Sequence, residues 1–282
     1  MKIIFQRLAL FISTTFFCTS CSHVFYQPDR HIYYPPEQFK FKKEDVPFKA
    51  KDGTDLFAWY FPSEQKTCKG TIVQFHGNGE NISSHYTALV WLVREGYSLF
   101  TFDYRSYGAS RGDPDQANVN DDSLTSLSLA YQLHEKNHCG KFVVYGQSLG
   151  GVIAMRALAD WPMREKVSLI VMDSTFMSYK TVARQALTKH WLTWIFSPLG
   201  WLLVSNKYGS NHVIDQIRNP LLVIHDRKDP TVNFSNGENL FKTYNGPKDF
   251  WDFIYGSHIG YFGIPGLEAN RKRFVDYLNA TR

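Results

Sequence analysis

One serine of this chain lies where an activated nucleophile could be built. Ser148 is the centre of Gly-Gln-Ser-Leu-Gly in the stretch KFVVYGQSLGG, which runs from Lys141 to Gly151. An apolar run precedes the serine and a helix-forming run follows it, a pattern typical of a strand, a sharp turn and a helix. Gly146 and Gly150 leave room for that turn, in which the serine backbone is strained. The sequence therefore predicts that Ser148 is a nucleophile.

A serine hydroxyl attacks at neutral pH only when a histidine accepts its proton and an acid orients that histidine. In α/β-hydrolases, whose nucleophile turn this motif resembles, the acid and then the histidine follow the serine along the chain. Four histidines follow Ser148, namely His190, His212, His225 and His258. The first two fall in an irregular insertion, and the third lies inside an apolar strand run. His258, in a Gly/Ser turn after the last strand candidate, is therefore the predicted base.

Three aspartates near the ends of predicted strands could supply the acid, because α/β sheets place their ligands at the carboxyl ends of the strands. Asp229 lies a few residues beyond its strand, on the loop before Pro230, and can reach toward His258. Asp226 lies at the strand end itself, and Asp173 follows the preceding strand. We expect Asp229 to be the acid and keep Asp173 as the main alternative.

A tetrahedral intermediate also needs backbone donors for its negatively charged oxygen. One donor should be the amide of Leu149, directly after the nucleophile. The other should come from the turn FHGNGENIS, where we expect the amide of Asn78 to serve. His76, in the same turn, is expected to hydrogen-bond loop backbone rather than to transfer protons.

These residues need a scaffold, and the 282-residue chain predicts one large domain. Its 44% of hydrophobic residues suffice for one core. Short apolar runs alternate with helix-length amphipathic runs, which predicts a mostly parallel sheet covered by helices. A hairpin signal, Lys-Asp-Gly-Thr, joins the first two strand candidates, so the sheet should begin antiparallel. The strand candidates begin at Val46, Leu56, Thr71, Tyr97, Lys141, Val167, Leu221 and Asp249, and the helix candidates cover Ile82 to Glu95, Asp122 to Lys136, Leu149 to Ala159, Gly237 to Tyr244 and Leu267 to Asn279.

In this order the motifs resemble the serine-hydrolase branch of the α/β-hydrolase superfamily, in particular the bacterial relatives of α/β-hydrolase-domain lipid hydrolases and protein depalmitoylases. The resemblance runs from about Tyr34 to the C-terminus and rests on YYPPEQF, KDGTDLFAWYFP, VQFHGNGENIS, FDYRSYGASRG, VYGQSLGG, DSTF, LLVIHDRKDPTV and GSHIGYF. It implies an eight-stranded, mostly parallel sheet with helices on both faces. It also assigns nucleophile, acid and base to Ser148, Asp229 and His258. Two positions depart from the family pattern, which has glycine at both: Ser106 and Asp226.

The resemblance further implies that the strand from Thr71 lies beside the nucleophile strand from Lys141. Cys68 and Cys139 then sit at similar heights below neighbouring strands, within disulfide range. We expect them to form a disulfide in an exported protein, and two buried free thiols are the alternative.

The interval from Met177 to Asn219 breaks the rhythm of strands and helices and occupies the position where this superfamily places its lid. It contains HWLTWIFSPLGWLLV, so we expect a pair of short helices broken at Pro198. Its large apolar side chains either line an acyl pocket, pack as a cap on the domain or dip into a membrane. These side chains are Trp191, Trp194, Phe196, Leu199 and Trp201.

The first 20 residues predict an export signal rather than part of the fold. Two basic residues precede an apolar run from Leu8 to Phe17, which is shorter than the roughly 20 residues of a spanning helix. CTSC resembles a lipobox and would place a lipid on Cys21, although Cys18 stands where a lipobox has an aliphatic residue. A simple cleaved signal and an uncleaved anchor are the alternatives. We expect residues 21–282 to be held at the periplasmic side of a bacterial cell envelope.

These observations lead us to expect a serine hydrolase that cleaves a lipid or other acyl ester through an acyl-enzyme on Ser148. Thioester or peptide cleavage is the alternative among enzymes, and a catalytically silent surface binding protein is the alternative outside them. No metal or organic cofactor is expected, because no His, Cys or Asp set has the spacing of metal ligands. The formal net charge of +5 falls to a mild +3 without the two basic residues of the first 20 (29 Lys and Arg against 26 Asp and Glu). The remaining basic residues are dispersed apart from Lys40 to Lys43, so a nucleic-acid footprint is not supported. We expect a monomer whose partners are the substrate and the membrane.

Overall fold

The fold is built on eight strands. The computed structural model describes residues 25–188, 198, 203–263 and 267–281. Every strand begins within two residues of a predicted start. The strands are β1 (Glu44–Lys49), β2 (Asp55–Phe61), β3 (Gly70–Phe75), β4 (Tyr97–Asp103), β5 (Lys141–Gln147), β6 (Leu169–Asp173), β7 (Leu221–Asp226) and β8 (Lys248–Phe253).

All eight strands form one sheet in the order β1-β2-β4-β3-β5-β6-β7-β8. β2 pairs antiparallel with β1 and with β4, and the other pairings are parallel. The antiparallel start was predicted from the hairpin signal, in which Gly53 takes the φ of +85° that favours glycine. β3 lies beside β5, as the resemblance implies, so the turns that follow these two strands emerge side by side.

Helices cover both faces of the sheet. Within the described residues the α-helices are α1 (Ile82–His85), α2 (Gln116–Lys136), α3 (Leu149–Asp160), α4 (Tyr179–Thr188), α5 (Ser235–Thr243) and α6 (Leu267–Ala280). Short 3₁₀ helices cover Pro36–Phe39, Tyr86–Ala88, Val90–Val93, Arg164–Lys166, Ser210–His212 and Ile214–Gln216.

Two helices differ from the prediction. The single helix expected from Ile82 to Glu95 is divided into α1 and two 3₁₀ turns. The chain over Leu89 and Val90–Val93 is buried on every side and lacks the polar face of an amphipathic helix. α2 begins six residues before its expected start, because the Asp115 side chain accepts a hydrogen bond from the amide of Asn118 and caps the helix there.

The core has one apolar layer on each face of the sheet. Along β3, Ile72 packs in one layer, while Val73 and Phe75 pack in the other. The whole of β3 is buried, so its sequence does not alternate between apolar and exposed polar residues. α2 and α3 contribute to the layer of Val73 and Phe75, and α6 contributes Phe274 and Leu278 to the layer of Ile72.

A disulfide joins Cys68 and Cys139, whose Cα atoms are 4.6 Å apart. The predicted pairing is therefore present. Each cysteine lies two residues before a strand, β3 and β5 respectively. The bond thus closes the end of the sheet opposite to the nucleophile turn.

The predictions for the leader and for most of the lid concern residues outside the described ranges. Cys21 and the export signal belong to residues 1–24, and the helix pair expected around Pro198 depends on residues 189–197 and 199–202. Among the helices that the structure does describe, none has the length and hydropathy needed to span a bilayer. Also outside the described ranges are His190, Trp191, Trp194, Phe196, Leu199 and Trp201.

Candidate active site

The turn that carries Ser148 connects β5 directly to α3. Ser148 has φ 51° and ψ −118°, a backbone conformation that residues other than glycine rarely adopt, and 7% of the residue is exposed. Its amide donates to the carbonyl of Asp173 at 2.9 Å. The Thr175 hydroxyl donates to the carbonyl of Ser148 at 2.6 Å. Strand, strained turn and helix thus follow in the predicted order, and the segment after β6 holds the serine backbone.

The glycines of the motif are required by close backbone contacts. A Cβ atom on Gly150 would lie 2.1 Å from the carbonyl oxygen of Phe75 and 2.5 Å from that of His76. A Cβ atom on Gly146 would lie 2.6 Å from the Cα of Gly151. Only glycine therefore allows α3 to begin against the end of β3.

Asp229 and His258 are in direct contact. Asp229 Oδ2 lies 2.8 Å from His258 Nδ1, and Oδ1 accepts the amides of Thr231 and Val232 at 2.7 and 2.9 Å. The Asp229 side chain is fully buried, whereas 19% of the His258 side chain is exposed. Because the carboxylate accepts at both oxygens, His258 carries its proton on Nδ1 and its Nε2 is left as an acceptor.

The loop that carries His258 is fastened by Asp226. Its Oδ2 accepts the amides of Tyr255 and Ser257 at 3.0 and 2.9 Å, and its Oδ1 accepts the amide of Lys228 at 2.8 Å. Burial raises the pKa of Asp226, but the hydrogen bonds outweigh it and leave the pKa below its usual value. The departure from the family's glycine therefore supplies an ionised group that holds the loop.

Ser148 and the loop of the predicted base meet at Gly77, after β3. A Cβ atom on Gly77 would lie 3.7 Å from both Ser148 Cβ and Ile259 Cδ1. The amide of Ile259 also donates to the Ser174 hydroxyl at 3.3 Å. The Ser148 hydroxyl itself forms no hydrogen bond to another described residue. In unliganded hydrolases the bond from nucleophile to base is often long and tightens only in the substrate complex.

Asp173, the alternative acid, has other partners. Its Oδ2 accepts the Tyr145 hydroxyl at 2.8 Å, and its Oδ1 accepts the Ser174 hydroxyl at 3.1 Å. Burial raises the pKa of Asp173 to about 6. Within the described chain it forms no hydrogen bond to a histidine, so the geometry favours Asp229 as the acid.

Of the other candidate histidines, His225 also lies beside Asp229. Its Nε2 lies 3.1 Å from the carbonyl oxygen of Val232 and 3.6 Å from Asp229 Oδ2. Burial lowers the pKa of His225, so the ring is neutral and donates to the carbonyl. The sequence reasoning missed this neighbour, although its position four residues before the acid could have indicated it. His212 contacts Asn206 within the insertion instead.

The predicted oxyanion donors border the nucleophile. Leu149 follows Ser148 directly, and Asn78 follows the Gly77 contact. Neither amide donates a hydrogen bond to any residue that the structure describes. His76 is fully buried, and its Nδ1 lies 2.8 Å from the carbonyl oxygen of Gly77, as expected for a residue that binds loop backbone.

Sheet order, serine turn after β5 and the aspartate and histidine after β7 and β8 together define an α/β-hydrolase. Solved structures share the fold. The Pyrococcus furiosus esterase Pf2001 superposes with a TM-score of 0.69 at 22% identity, over 90% of this chain and 96% of that one. Acetyl xylan esterase 1 from Thermoanaerobacterium sp. JW/SL YS485 superposes with a TM-score of 0.63 at 17% identity, over 90% and 89% of the chains. Likeness at these identities shows the fold alone.

Sequence comparison shows the family. Residues 66–232 match the family described as Serine aminopeptidase, S33. YfhR of Escherichia coli (strain K12) is 32% identical over 257 residues, 90% of this chain and 86% of the relative. The α/β-hydrolase domain-containing protein WAV2 of Arabidopsis thaliana is 27% identical over 258 residues, 86% and 80% of the two chains. The chain therefore belongs to this family of α/β-hydrolases and is a hydrolase. Among its described residues, no group of three or more His, Cys, Asp or Glu could hold a metal ion.

Proposed function

We propose that this hydrolase cleaves carboxylic esters of lipids or other acyl groups through an acyl-enzyme on Ser148. One observation carries the proposal. The buried carboxylate of Asp229 lies 2.8 Å from His258 Nδ1 and is held in that position by two backbone amides. This arrangement fixes the tautomer in which Nε2 accepts a proton, and a base of this kind activates a serine.

Each residue has one role in the reaction. His258 Nε2 takes the hydroxyl proton while Ser148 Oγ forms a bond to the ester carbonyl carbon. The amides of Leu149 and Asn78 donate to the resulting oxyanion. The carbonyl oxygen of the bound ester does not carry this full negative charge, so the two amides stabilise the intermediate more than the substrate. The ester C–O bond then breaks and the leaving alcohol takes the proton from His258. Water then attacks the acyl-enzyme with His258 again as the base, which releases the carboxylic acid product and restores the Ser148 hydroxyl.

Thioesters and amides are the alternative substrates, and the name of the matched family keeps the amide open. An aminopeptidase needs a free carboxylate to bind the substrate's ammonium group. Asp173, Asp226 and Asp229, the three acids considered for the triad, are buried and already accept hydrogen bonds from the protein. This occupancy favours an uncharged acyl substrate.

The test is labelling of the full-length protein with a fluorophosphonate, followed by location of the adduct by peptide mass. We expect an adduct on Ser148 that is lost in Ser148→Ala. It should persist in Ser126→Ala, which removes a buried serine hydroxyl from α2. Matched p-nitrophenyl esters, thioesters and aminoacyl p-nitroanilides then rank the substrates. An unlabelled folded protein, or an adduct on the neighbouring Ser174, would refute the nucleophile, and faster anilide cleavage would refute the ester preference.

We further propose that the protein is exported and anchored by a lipid on Cys21. Gln27 lies six positions after Cys21, so the two Cα atoms can be at most about 22 Å apart. The amide of Gln27 donates to Asn78 Oδ1 at 2.9 Å, so an anchor at Cys21 would keep the site close to the membrane. Metabolic labelling with an alkyne fatty acid tests this. Label should be lost in Cys21→Ala and kept in Cys18→Ala, and an unlabelled wild-type protein would refute lipidation.

A further inference from the structure

The turn after β3 is held in an unusual way. All four successive backbone carbonyls from His76 to Gly79 accept a hydrogen bond from a side chain. Tyr104 donates to His76 O at 3.1 Å, His76 Nδ1 to Gly77 O at 2.8 Å, Tyr107 to Asn78 O at 2.7 Å, and His85 Nε2 to Gly79 O at 2.9 Å. The path of this turn is therefore set by a side chain of the turn itself and by side chains of α1 and of the segment after β4.

This pattern leaves the amide of Asn78 available. The carbonyl on either side of that amide, in Gly77 and in Asn78, is tied to a ring or a hydroxyl, while the amide itself has no partner among the described residues. The Asn78 N–H shares its peptide plane with the carbonyl of Gly77, which His76 holds, while the carbonyl of Asn78, which Tyr107 holds, lies in the following plane. Both planes that flank the Asn78 Cα atom are therefore fixed. A donor that is fixed before the reaction stabilises a developing charge without reorganisation.

Of the four donor side chains, we consider Tyr107, whose hydroxyl contacts both Asn78 and Gln27. The side chain is fully buried, and its hydroxyl donates to the carbonyl of Asn78 while accepting the amide of Gln27 at 3.0 Å. The hydroxyl also lies 3.2 Å from Asn78 Oδ1. Burial raises the pKa of Tyr107, so the phenol keeps its proton and remains a donor.

We propose that Tyr107 is a positioning residue for the oxyanion hole. It acts by fixing the peptide plane that follows Asn78, and with it the backbone of Asn78 that carries the donor, and it does not touch the substrate. The inference rests on the proposed serine-hydrolase function. It also gives a role to the second tyrosine of YRSYG, which the reaction itself does not use. Through Gln27, the same hydroxyl ties the segment that follows the leader to the oxyanion turn.

The test compares Tyr107→Phe with the wild-type enzyme on a p-nitrophenyl ester, with rates expressed per active site labelled by fluorophosphonate at saturation. We expect kcat to fall by about 10- to 100-fold with KM within about twofold, because the oxyanion exists only after attack. Affinity for an alkyl boronic acid, which mimics the tetrahedral intermediate, should fall by a similar factor. Tyr244→Phe is the matched control. It removes a buried hydroxyl that donates to the carbonyl of Asn219, at the opposite end of the sheet.

Each outcome decides the proposal. A general structural role would lower the labelled fraction and the melting temperature but not kcat per labelled site or the boronate affinity, and that result would overturn it. Equal changes in both tyrosine variants would overturn it as well. If Tyr107→Phe does not fold, Tyr104→Phe removes the corresponding bond at His76, and an unchanged kcat per site would then refute the carbonyl-fixing mechanism. A wild-type protein that takes no label and hydrolyses nothing would instead refute the proposed function.

Discussion

Asp229→Asn would remove one charge and one hydrogen-bond acceptor while keeping the shape of the side chain. In the wild-type protein one carboxylate oxygen accepts the amides of Thr231 and Val232, and the other accepts His258 Nδ1–H. An asparagine has one oxygen only. If the NH₂ group faced the two amides, it would meet two N–H donors and no acceptor. If it faces His258, it meets a single N–H donor. The oxygen therefore stays with the amides, and the NH₂ group meets the imidazole.

The imidazole must then accept at Nδ1, which moves its proton to Nε2. A protonated Nε2 cannot take the proton of Ser148, so the reaction loses its base as well as the charge that stabilises the imidazolium. Changes of this kind lower kcat by about 10⁴-fold, equivalent to about 5.5 kcal/mol of transition-state stabilisation. KM should change little, because Asp229 is fully buried and does not touch the substrate.

Asp173→Asn is the matched comparison. The partners of Asp173 are the hydroxyls of Tyr145 and Ser174, and a hydroxyl can rotate and become an acceptor for the new NH₂ group. We expect kcat of this variant to stay within about tenfold of wild type. The assay is hydrolysis of a p-nitrophenyl ester over pH 6 to 9, with labelled sites counted. A fall of less than tenfold in Asp229→Asn, or a larger fall in Asp173→Asn, would refute the assignment of the acid.

Three further predictions concern the scaffold. Gly150→Ala should prevent folding of the nucleophile turn, because the new Cβ atom would lie 2.1 Å from a carbonyl oxygen. Gly79→Ala should fold, because nothing lies within 4 Å of a Cβ atom at that position. Circular dichroism distinguishes the two variants, and a folded Gly150→Ala would contradict the geometry. Replacing Cys68 and Cys139 by serine should lower the free energy of unfolding by about 4 kcal/mol in urea, because the bond closes a loop with a sequence separation of 71, while kcat stays unchanged. Burial raises the pKa of Asp103 to about 7, so the folded protein keeps a proton there that the unfolded chain loses above about pH 4. The free energy of unfolding should therefore fall by about 4 kcal/mol as the pH rises from about 4 to 7. Melting temperatures at pH 5 and 8 should therefore differ less in Asp103→Asn than in wild type, and an equal difference would contradict the shift.

The sheet could be predicted because its signals are local. Five of the eight strands are buried along their whole length or nearly so, and such strands appear in sequence as short apolar runs between turn residues. The nucleophile turn could be predicted for the same reason, since Gly146, Ser148 and Gly150 are neighbours in the chain. The pairing of β3 with β5 is not local, and it came only from the resemblance to a family.

The supports of the site could not be predicted, because they come from residues far apart in sequence. Asp226 was considered as an acid and not as the group that fastens the loop of His258, 31 residues away at Ser257. The hydroxyl of Tyr107 reaches Asn78 across 29 residues, and nothing in either motif indicates the contact. A side chain's catalytic type can be recognised from its neighbours in sequence. Its orientation depends on contacts that only the folded chain provides.

Two serines of this protein share a strained backbone at a strand end but differ in the partners of their hydroxyls. Ser148 and Ser174 follow adjacent parallel strands and have nearly the same φ, 51° and 53°. The Ser174 hydroxyl donates to Asp173 and accepts the amide of Ile259, so both of its functions are used within the protein. The Ser148 hydroxyl has no such partner among the described residues. Ser148 Cβ lies against Gly77, and the amide of the next residue, Leu149, also has no partner in the part of the chain that the structure describes. The difference in reactivity that we propose therefore arises from which hydroxyl the fold leaves unbound, because only a hydroxyl without partners in the protein is free to give its proton to a base and attack a substrate carbonyl.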